Sequence, residues 1–434
     1  MLSDGTIRRP LLTALVAVLA TTGLLQAQSL AHATPEEVGM SSVRLERLTD
    51  ALQGYVDADR LSGAVAMVLR GGKVAYLEAV GARDVEARAP MEEDAIFRIA
   101  SQTKALVSVG ILALQEDGAL LISDRVEKYL PAFANHKVAV RRGGGDHDVV
   151  DGDRPITLRD LLTHTAGIGY GGGPGASAWG EAGIQGWYFG HLDEPVRATV
   201  DRIAKLPFDA QPGERFVYGY NTDILGAVIE EVSGMTLEGF LTFRILEPLG
   251  MKDTHFYLPG DKRGRLAAVY NQGADGSIVR APDGPGMQTQ GQYVDGPRVS
   301  FSGGAGLLST AADYGRFLQM MLNGGELGGA RILSPTTVAL MTADHIGHLG
   351  IRTGAGVTFG LGFSVRTDVG AAGEAGSVGD YGWGGAYHST YWVDPVEDLV
   401  VVYFTQLIPA RGLDDHARLR ALGYAAIIDS RAGA

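Results

Sequence analysis

Ala64-Val65-Ala66-Met67-Val68-Leu69-Arg70, the pair Gly71-Gly72, and Lys73-Val74-Ala75-Tyr76-Leu77-Glu78-Ala79-Val80-Gly81 decide the fold of this chain. Two apolar, β-rich runs around a Gly-Gly pair spell a hairpin. Toward the other end, residues 359–366, 381–387, 390–394 and 399–406 read as further strands punctuated by Gly and Asp-Pro. Short strands at both ends, joined by hairpin-length links, predict one antiparallel sheet assembled from the two ends of the chain. Helical periodicity in 42–60 (Leu45, Leu48, Leu52, Tyr55, Val56) and in 413–430 supplies helices to cover it. The middle, about 101–340, is mainly helical, with apolar periodicity in 158–162, 222–232, 237–249 and 311–322. Polar or Gly-rich stretches at 141–154, 169–183 and 273–297 read as long surface loops. The expected fold class is therefore α/β (α+β): an antiparallel sheet flanked by helices, plus an all-helical lobe. Residues 34–108 and 300–434 form the discontinuous sheet domain. Residues 109–299 form the helical domain, with a cleft between the two.

The 434 residues carry 37 Lys+Arg against 50 Asp+Glu, a net charge of −13. Such an acidic surface repels phosphate backbones, which excludes a nucleic-acid binder. With no cysteine, disulfide frameworks, thiol nucleophiles and thiolate metal sites are also excluded. Residues 1–33 read as an export signal: Arg8-Arg9, an apolar run from Leu11 to Leu25, then Ala31-His32-Ala33 as a small-residue cleavage site. That run is too short to span a bilayer. The mature chain is expected to begin near Thr34, without a membrane span, in the periplasm or outside the cell. Arg8-Arg9 followed by Pro10-Leu11-Leu12 also fits a twin-arginine signal loosely, so the export route stays open.

Chemistry concentrates at Ser101-Gln102-Thr103-Lys104, which opens an apolar helix running toward Gly118. Spacing i, i+3 sets the serine hydroxyl and the lysine amine on one helix face. Apolar residues fall almost all round this helix, so it is buried. Burial favours the neutral amine of a lysine, and a neutral amine takes a proton from serine. A helix N-terminus also favours a developing oxyanion. A capping serine followed by an unrelated lysine is the plain alternative.

The wider context favours chemistry. Phe97-Arg98-Ile99-Ala100-Ser101-Gln102-Thr103-Lys104 resembles the nucleophile motif of serine β-lactamases and penicillin-binding proteins. Leu161-Leu162-Thr163-His164-Thr165-Ala166-Gly167, then Pro212 to Tyr218 with Thr222-Asp223-Ile224-Leu225-Gly226, resemble later motifs of the class C branch in the same order. Ser302 to Thr310 is similar to another, and Trp383-Gly384-Gly385-Ala386 stands where a Lys-Thr-Gly strand is expected. Two departures stand out. The Tyr-x-Asn pattern is broken, since Tyr220 follows Tyr218 and Asn221 comes one later. Trp383-Gly384-Gly385 removes the lysine that helps hold a lactam carboxylate. Both departures resemble the family VIII carboxylesterases.

The resemblance implies Ser101 as nucleophile, Lys104 as proton acceptor and Tyr218 as its partner. It also implies an oxyanion hole from the backbone N–H groups of Ser101 and Ala386, with substrate contacts at Trp383, Gly384 and Gly385. The expected function is an exported serine hydrolase acting on small-molecule esters or amides through a Ser101 acyl-enzyme, with no cofactor and no metal. The alternatives are a β-lactamase or D-alanyl carboxypeptidase/aminopeptidase, an acyltransferase, and a penicillin-binding sensor that acylates without turnover. The oligomeric state stays open. Gly167, Gly169 and Gly172 satisfy G-x-G-x-x-G but follow a helix, so they read as a loop near the cleft. His345 and His348 lack a third ligand, and His164 reads as a structural hydrogen-bonding group.

Overall fold

A computed structural model describes residues 30–142, 146–351 and 353–432. Of the expected export segment, only 30–33 fall among the described residues. Among the described residues the central sheet has nine strands. From the N-terminal side come β1 (Ala31–His32), β2 (Gly63–Arg70) and β3 (Lys73–Asp84). From the C-terminal side come β4 (Val357–Phe359), β5 (Ser364–Arg366), β6 (Tyr381–Gly385), β7 (Ser389–Asp394) and β8 (Leu399–Phe404). Their order is β1-β3-β2-β8-β7-β6-β5-β4, and Ala89–Pro90 pairs with β3 off this path. The two ends of the chain meet where β2 pairs with β8, Val401 opposite Val68. Gly71 and Gly72 turn the β2–β3 hairpin with φ of 60° and 73°, the left-handed values a two-residue turn requires.

Alternation along the strands builds two cores. Ala64, Ala66, Val68, Val401 and Tyr403 face one side, where α1 (Ser42–Asp57) contributes Leu45, Leu48 and Leu52. Val65, Met67, Leu69, Val400, Val402 and Phe404 face the other. There they meet α2 (Thr103–Glu116), α3 (Leu158–Leu162), α4 (Asn221–Ser233) and α5 (Ala311–Leu322). The last helix, α6 (Asp415–Ala425), packs beside α1 on the first side. In α2 every residue from Thr103 to Leu114 is buried, as its all-round apolar pattern predicts.

Several expected boundaries change. The run 359–366 is not one strand: Gly360 and Gly362 fold it into the β4–β5 hairpin. The polar stretch at 141–154 is not a loop throughout, because Lys137–Arg141 and His147–Asp151 pair as a hairpin. Val138 and Val140 on one strand and Val149 and Val150 on the other supply the strand formers that the surrounding charged residues and glycines obscure. The Gly-rich stretch 169–183 contains a short helix, Ala176–Glu181, and 273–297 contains a strand, Ile278–Arg280. The periodic run 237–249 is interrupted by a π-turn at Thr242–Leu246. Among the described residues no helix is long and apolar enough to cross a membrane.

Arg70, at the end of β2, is fully buried and ties the chain's extremities to the sheet. It donates to Glu397 Oε2 (2.8 Å) and to the carbonyls of Val38 (3.1 Å), Gly39 (2.7 Å) and Asp429 (2.5 Å). Arg70→Met leaves these acceptors unpaired in a dry site. Thermal and denaturant unfolding should show a loss of about 3–5 kcal/mol; a change below about 1 kcal/mol would contradict this account.

Candidate active site

Ser101 sits in a single 3₁₀ turn, Ala100–Gln102, just ahead of α2. Ala100 has a φ of 43°, a conformation that a non-glycine residue adopts only when its surroundings enforce it. Those surroundings are visible. Ile99 N donates to Leu307 O (3.1 Å), Leu307 N to Thr103 Oγ1 (3.0 Å), and Tyr314 OH to Gln102 O (2.9 Å). Gly385 at the end of β6 closes the turn from the sheet side. A Cβ there would stand 2.5 Å from Ile99 O, so this close approach requires glycine.

One turn along α2, Lys104 is 2% exposed. Its Nζ lies 3.3 Å from Ser101 Oγ, 3.2 Å from Tyr170 OH and 2.6 Å from Gly304 O. It also stands 4.7 Å from the centre of the Tyr218 ring. Gly304 is held by Asp223, whose Oδ1 accepts from Gly304 N (3.0 Å) and Ser302 Oγ (2.6 Å). Burial raises the Asp223 carboxyl above the ordinary range, while the Ser302 bond and Lys104 oppose this. Burial, with Tyr218 and Asp223 nearby, holds the Tyr170 phenol well above its usual value, so it is a protonated phenol at neutral pH.

The broken Tyr-x-Asn pattern resolves into two tyrosines with different surroundings. Tyr218 is half-buried, and its hydroxyl accepts from Trp383 Nε1 at 3.0 Å. Tyr220 is fully buried, stacked between Trp179 and Phe189, with its hydroxyl donating to Gly186 O. Asn221 hydrogen-bonds His164 Nδ1 (2.9 Å) and the carbonyl of Ile168 (3.1 Å). Burial and then Lys104 push His164 well below the usual imidazole range, so it packs as a neutral ring against Tyr218. Trp383, Phe359 and Phe216 complete an aromatic wall, with ring centres 5.2 Å and 5.1 Å apart in succession.

The structure thus brings Ser101, Lys104, Tyr218 and Trp383 together. Gly384 pairs with Thr390 and Gly385 with Ser389 in the same strand. Ala386 follows in the β6–β7 turn, half-buried beside Tyr387 and Trp187. Sequence reasoning missed Tyr170 and Asp223. Tyr170 stands in the Gly-rich loop directly after the 161–167 motif, where a lone aromatic was the available signal. Asp223 stands in α4 with two other carboxylates, Glu230 and Glu231, so residue type alone gave no signal for it.

Tyr220→Phe should cost about 1 kcal/mol of unfolding free energy and spare turnover, because it removes only a structural hydrogen bond. Tyr218→Phe should leave the melting temperature within a few degrees and reduce turnover about 10²-fold or more. Reversed results would exchange the two roles.

The Beta-lactamase family model matches residues 48–425 of this chain. The esterase EstB of Burkholderia gladioli is 34% identical over 362 residues, 80% of this chain and 86% of that protein. The lovastatin esterase of Penicillium rubens is 30% identical over 384 residues, 82% and 91% respectively. The solved structure of EstCE1, a hydrolase with promiscuous acyltransferase activity, superposes with a TM-score of 0.75 at 28% identity, covering 89% of this chain and 98% of that one. With its mixed α/β architecture and a buried lysine beside Ser101, the chain belongs to the beta-lactamase family of serine hydrolases.

Proposed function

We propose that this hydrolase cleaves small carboxylic esters through an acyl-enzyme on Ser101. The observation that carries the reading is the buried Lys104 Nζ, 3.3 Å from Ser101 Oγ and anchored on Gly304 O. Ser101 Oγ attacks the ester carbonyl carbon while its proton passes to the Lys104 amine, in concert with Tyr218. The carbonyl oxygen becomes an oxyanion held by the backbone N–H groups of Ser101 and Ala386. Collapse of this intermediate breaks the C–O bond, and the leaving alkoxide takes the proton. Water then attacks the acyl carbon by the same route and restores Ser101.

Preference for esters over lactams follows from β6. Where a lysine would meet a lactam carboxylate, Trp383 presents an indole whose N–H is engaged by Tyr218. The relatives named as esterases agree with this reading. An alcohol in place of water would make the same site an acyltransferase, the side activity named for EstCE1. Export over 1–33 belongs to this reading too. Among the described elements, cleavage after Ala33 would remove the two-residue β1 alone and leave the turn that begins at Thr34, whose N–H donates to Glu37 Oε2 at 2.7 Å.

Steady-state assays with a short-chain aryl ester and a chromogenic cephalosporin test the proposal. Ester kcat/KM should exceed that for the cephalosporin at least about tenfold, and Ser101→Ala should lose about 10³-fold or more. Turnover surviving Ser101→Ala would refute the mechanism. Preferred cephalosporin turnover would make the chain a β-lactamase. N-terminal sequencing of the protein recovered from outside the cytoplasm should begin near Thr34; an intact Met1 there would refute cleavage.

A further inference from the structure

The β6–β7 turn that carries Ala386 is gripped from behind by three polar side chains that the reaction does not touch. His388 lies two residues past Ala386 with a φ of 63°, in the left-handed region where a non-glycine residue is uncommon. Its N–H closes the turn on Gly385 O (3.1 Å). Its ring Nε2 meets Asp415 Oδ1 at 2.8 Å, at the start of α6. The neighbouring His416 Nε2 donates to the backbone carbonyl of His388 at 3.1 Å. The two imidazoles stack at 4.1 Å with planes 14° apart. Tyr403 of β8 occupies the other carboxylate oxygen, its hydroxyl 2.8 Å from Asp415 Oδ2. Asp415 is fully buried.

We infer that His388, Asp415 and His416 form a clamp that positions the N–H of Ala386 for the oxyanion, so that α6 sets the geometry of the oxyanion hole without contacting substrate. The inference rests on the Ser101 reading above. Ring and backbone of His388 are each held by a separate residue of α6, so the turn can neither rotate nor translate without breaking one of the two bonds. Oxyanion donors stabilise the transition state only when placed to a few tenths of an ångström, and misplacement by 1 Å forfeits about 10²-fold in rate. The same three residues have ligand atoms within 4.8 Å of one another, the composition of a metal site. The geometry favours a clamp instead. Nearly parallel stacked rings direct their in-plane lone pairs side by side rather than at one point, and both oxygens of Asp415 already accept hydrogen bonds.

His388→Gly tests the clamp, since glycine accepts a φ of 63° without strain and removes the imidazole that Asp415 holds. The readout is an oxo ester beside its thiono analogue, whose sulfur accepts oxyanion-hole hydrogen bonds poorly. We expect kcat for the oxo ester to fall about tenfold with KM within about twofold, and the thiono ester to lose under about threefold. A merely structural defect lowers both equally, and equal loss would overturn the clamp. His416→Gln, whose amide can still donate to His388 O, should retain most of the activity that His416→Leu loses; equal loss in both would also overturn it. An unchanged kcat in His388→Gly, with Ser101→Ala inactive, overturns the clamp and leaves the Ser101 reading standing. Inhibition by micromolar zinc that chelation reverses and His416→Leu abolishes would replace the clamp with a metal site.

Discussion

A lysine amine enclosed in protein needs acceptors for its N–H groups, and Lys104 finds its partners in segments far apart in the chain. Ser101 is three residues away, Tyr170 66 and Gly304 200. An ionised amine taken out of water without such partners carries a penalty of several kcal/mol. The helix bearing Lys104 is buried on every side, so the rest of the molecule must bring oxygen atoms to it. Asp223 serves this end indirectly. It holds Gly304 N and Ser302 Oγ, which fixes the Gly304 carbonyl that anchors Nζ. The lysine head is thus pinned beside the serine rather than free to sample rotamers, which is the fixed position the proposed proton transfer needs.

Around this pair the helical layer and the sheet contribute different materials. The helix α2 and the segments before α4 supply side chains: Lys104 and Tyr218, with Tyr170 between Lys104 and the Tyr220 ring. The sheet supplies backbone and the Trp383 indole. β6 pairs with β5 only through Tyr381 and Gly382, so the strand runs on from Trp383 to Gly385 beyond its β5 partner and reaches the nucleophile turn. The contact of Gly385 with the Ile99 carbonyl couples the sheet to the strained Ala100, and the β6–β7 turn follows at once. Position along one strand therefore links an aromatic donor, a close backbone approach and the turn bearing Ala386.

Much of this was legible in the sequence where local chemistry decides structure. The Gly71-Gly72 hairpin and helix 311–322 stand where the residues themselves predict them, because turn geometry and apolar period are local properties. Ser101, just ahead of α2, and Lys104 within it stood out by their i, i+3 spacing, and the motif around them favoured chemistry over a capping serine. Tyr170 and Asp223 did not, since their meaning depends on contacts made across the fold. A tyrosine among glycines, and one of the three carboxylates of α4, carry no evident meaning until Lys104 and Gly304 arrive beside them. The hairpin at 137–151 was missed because a charged, Gly-rich composition hides a pairing that backbone hydrogen bonds create. Tyr218 and Tyr220 were distinguishable only through the motif, and their surroundings now separate a half-buried hydroxyl beside Trp383 from a fully enclosed one.

The exchange of a cationic strand for Trp383 alters what the cleft can recognise. An ammonium at this place attracts a carboxylate over several ångströms, and that attraction is orientation-tolerant. An indole offers a flat apolar face and a single N–H, which Tyr218 already takes. With Phe216 and Phe359 behind it, the wall rewards burial of uncharged surface at about 25 cal/mol per Å². It also exposes any buried carboxylate to an uncompensated desolvation penalty. A neutral ester gains on the first count and avoids the second, whereas an anionic lactam meets the penalty without its usual partner. On the proposed ester reading, selection between the two substrate classes resides in one side chain of β6 and the aromatic rings it packs against, while Ser101 and Lys104 serve either.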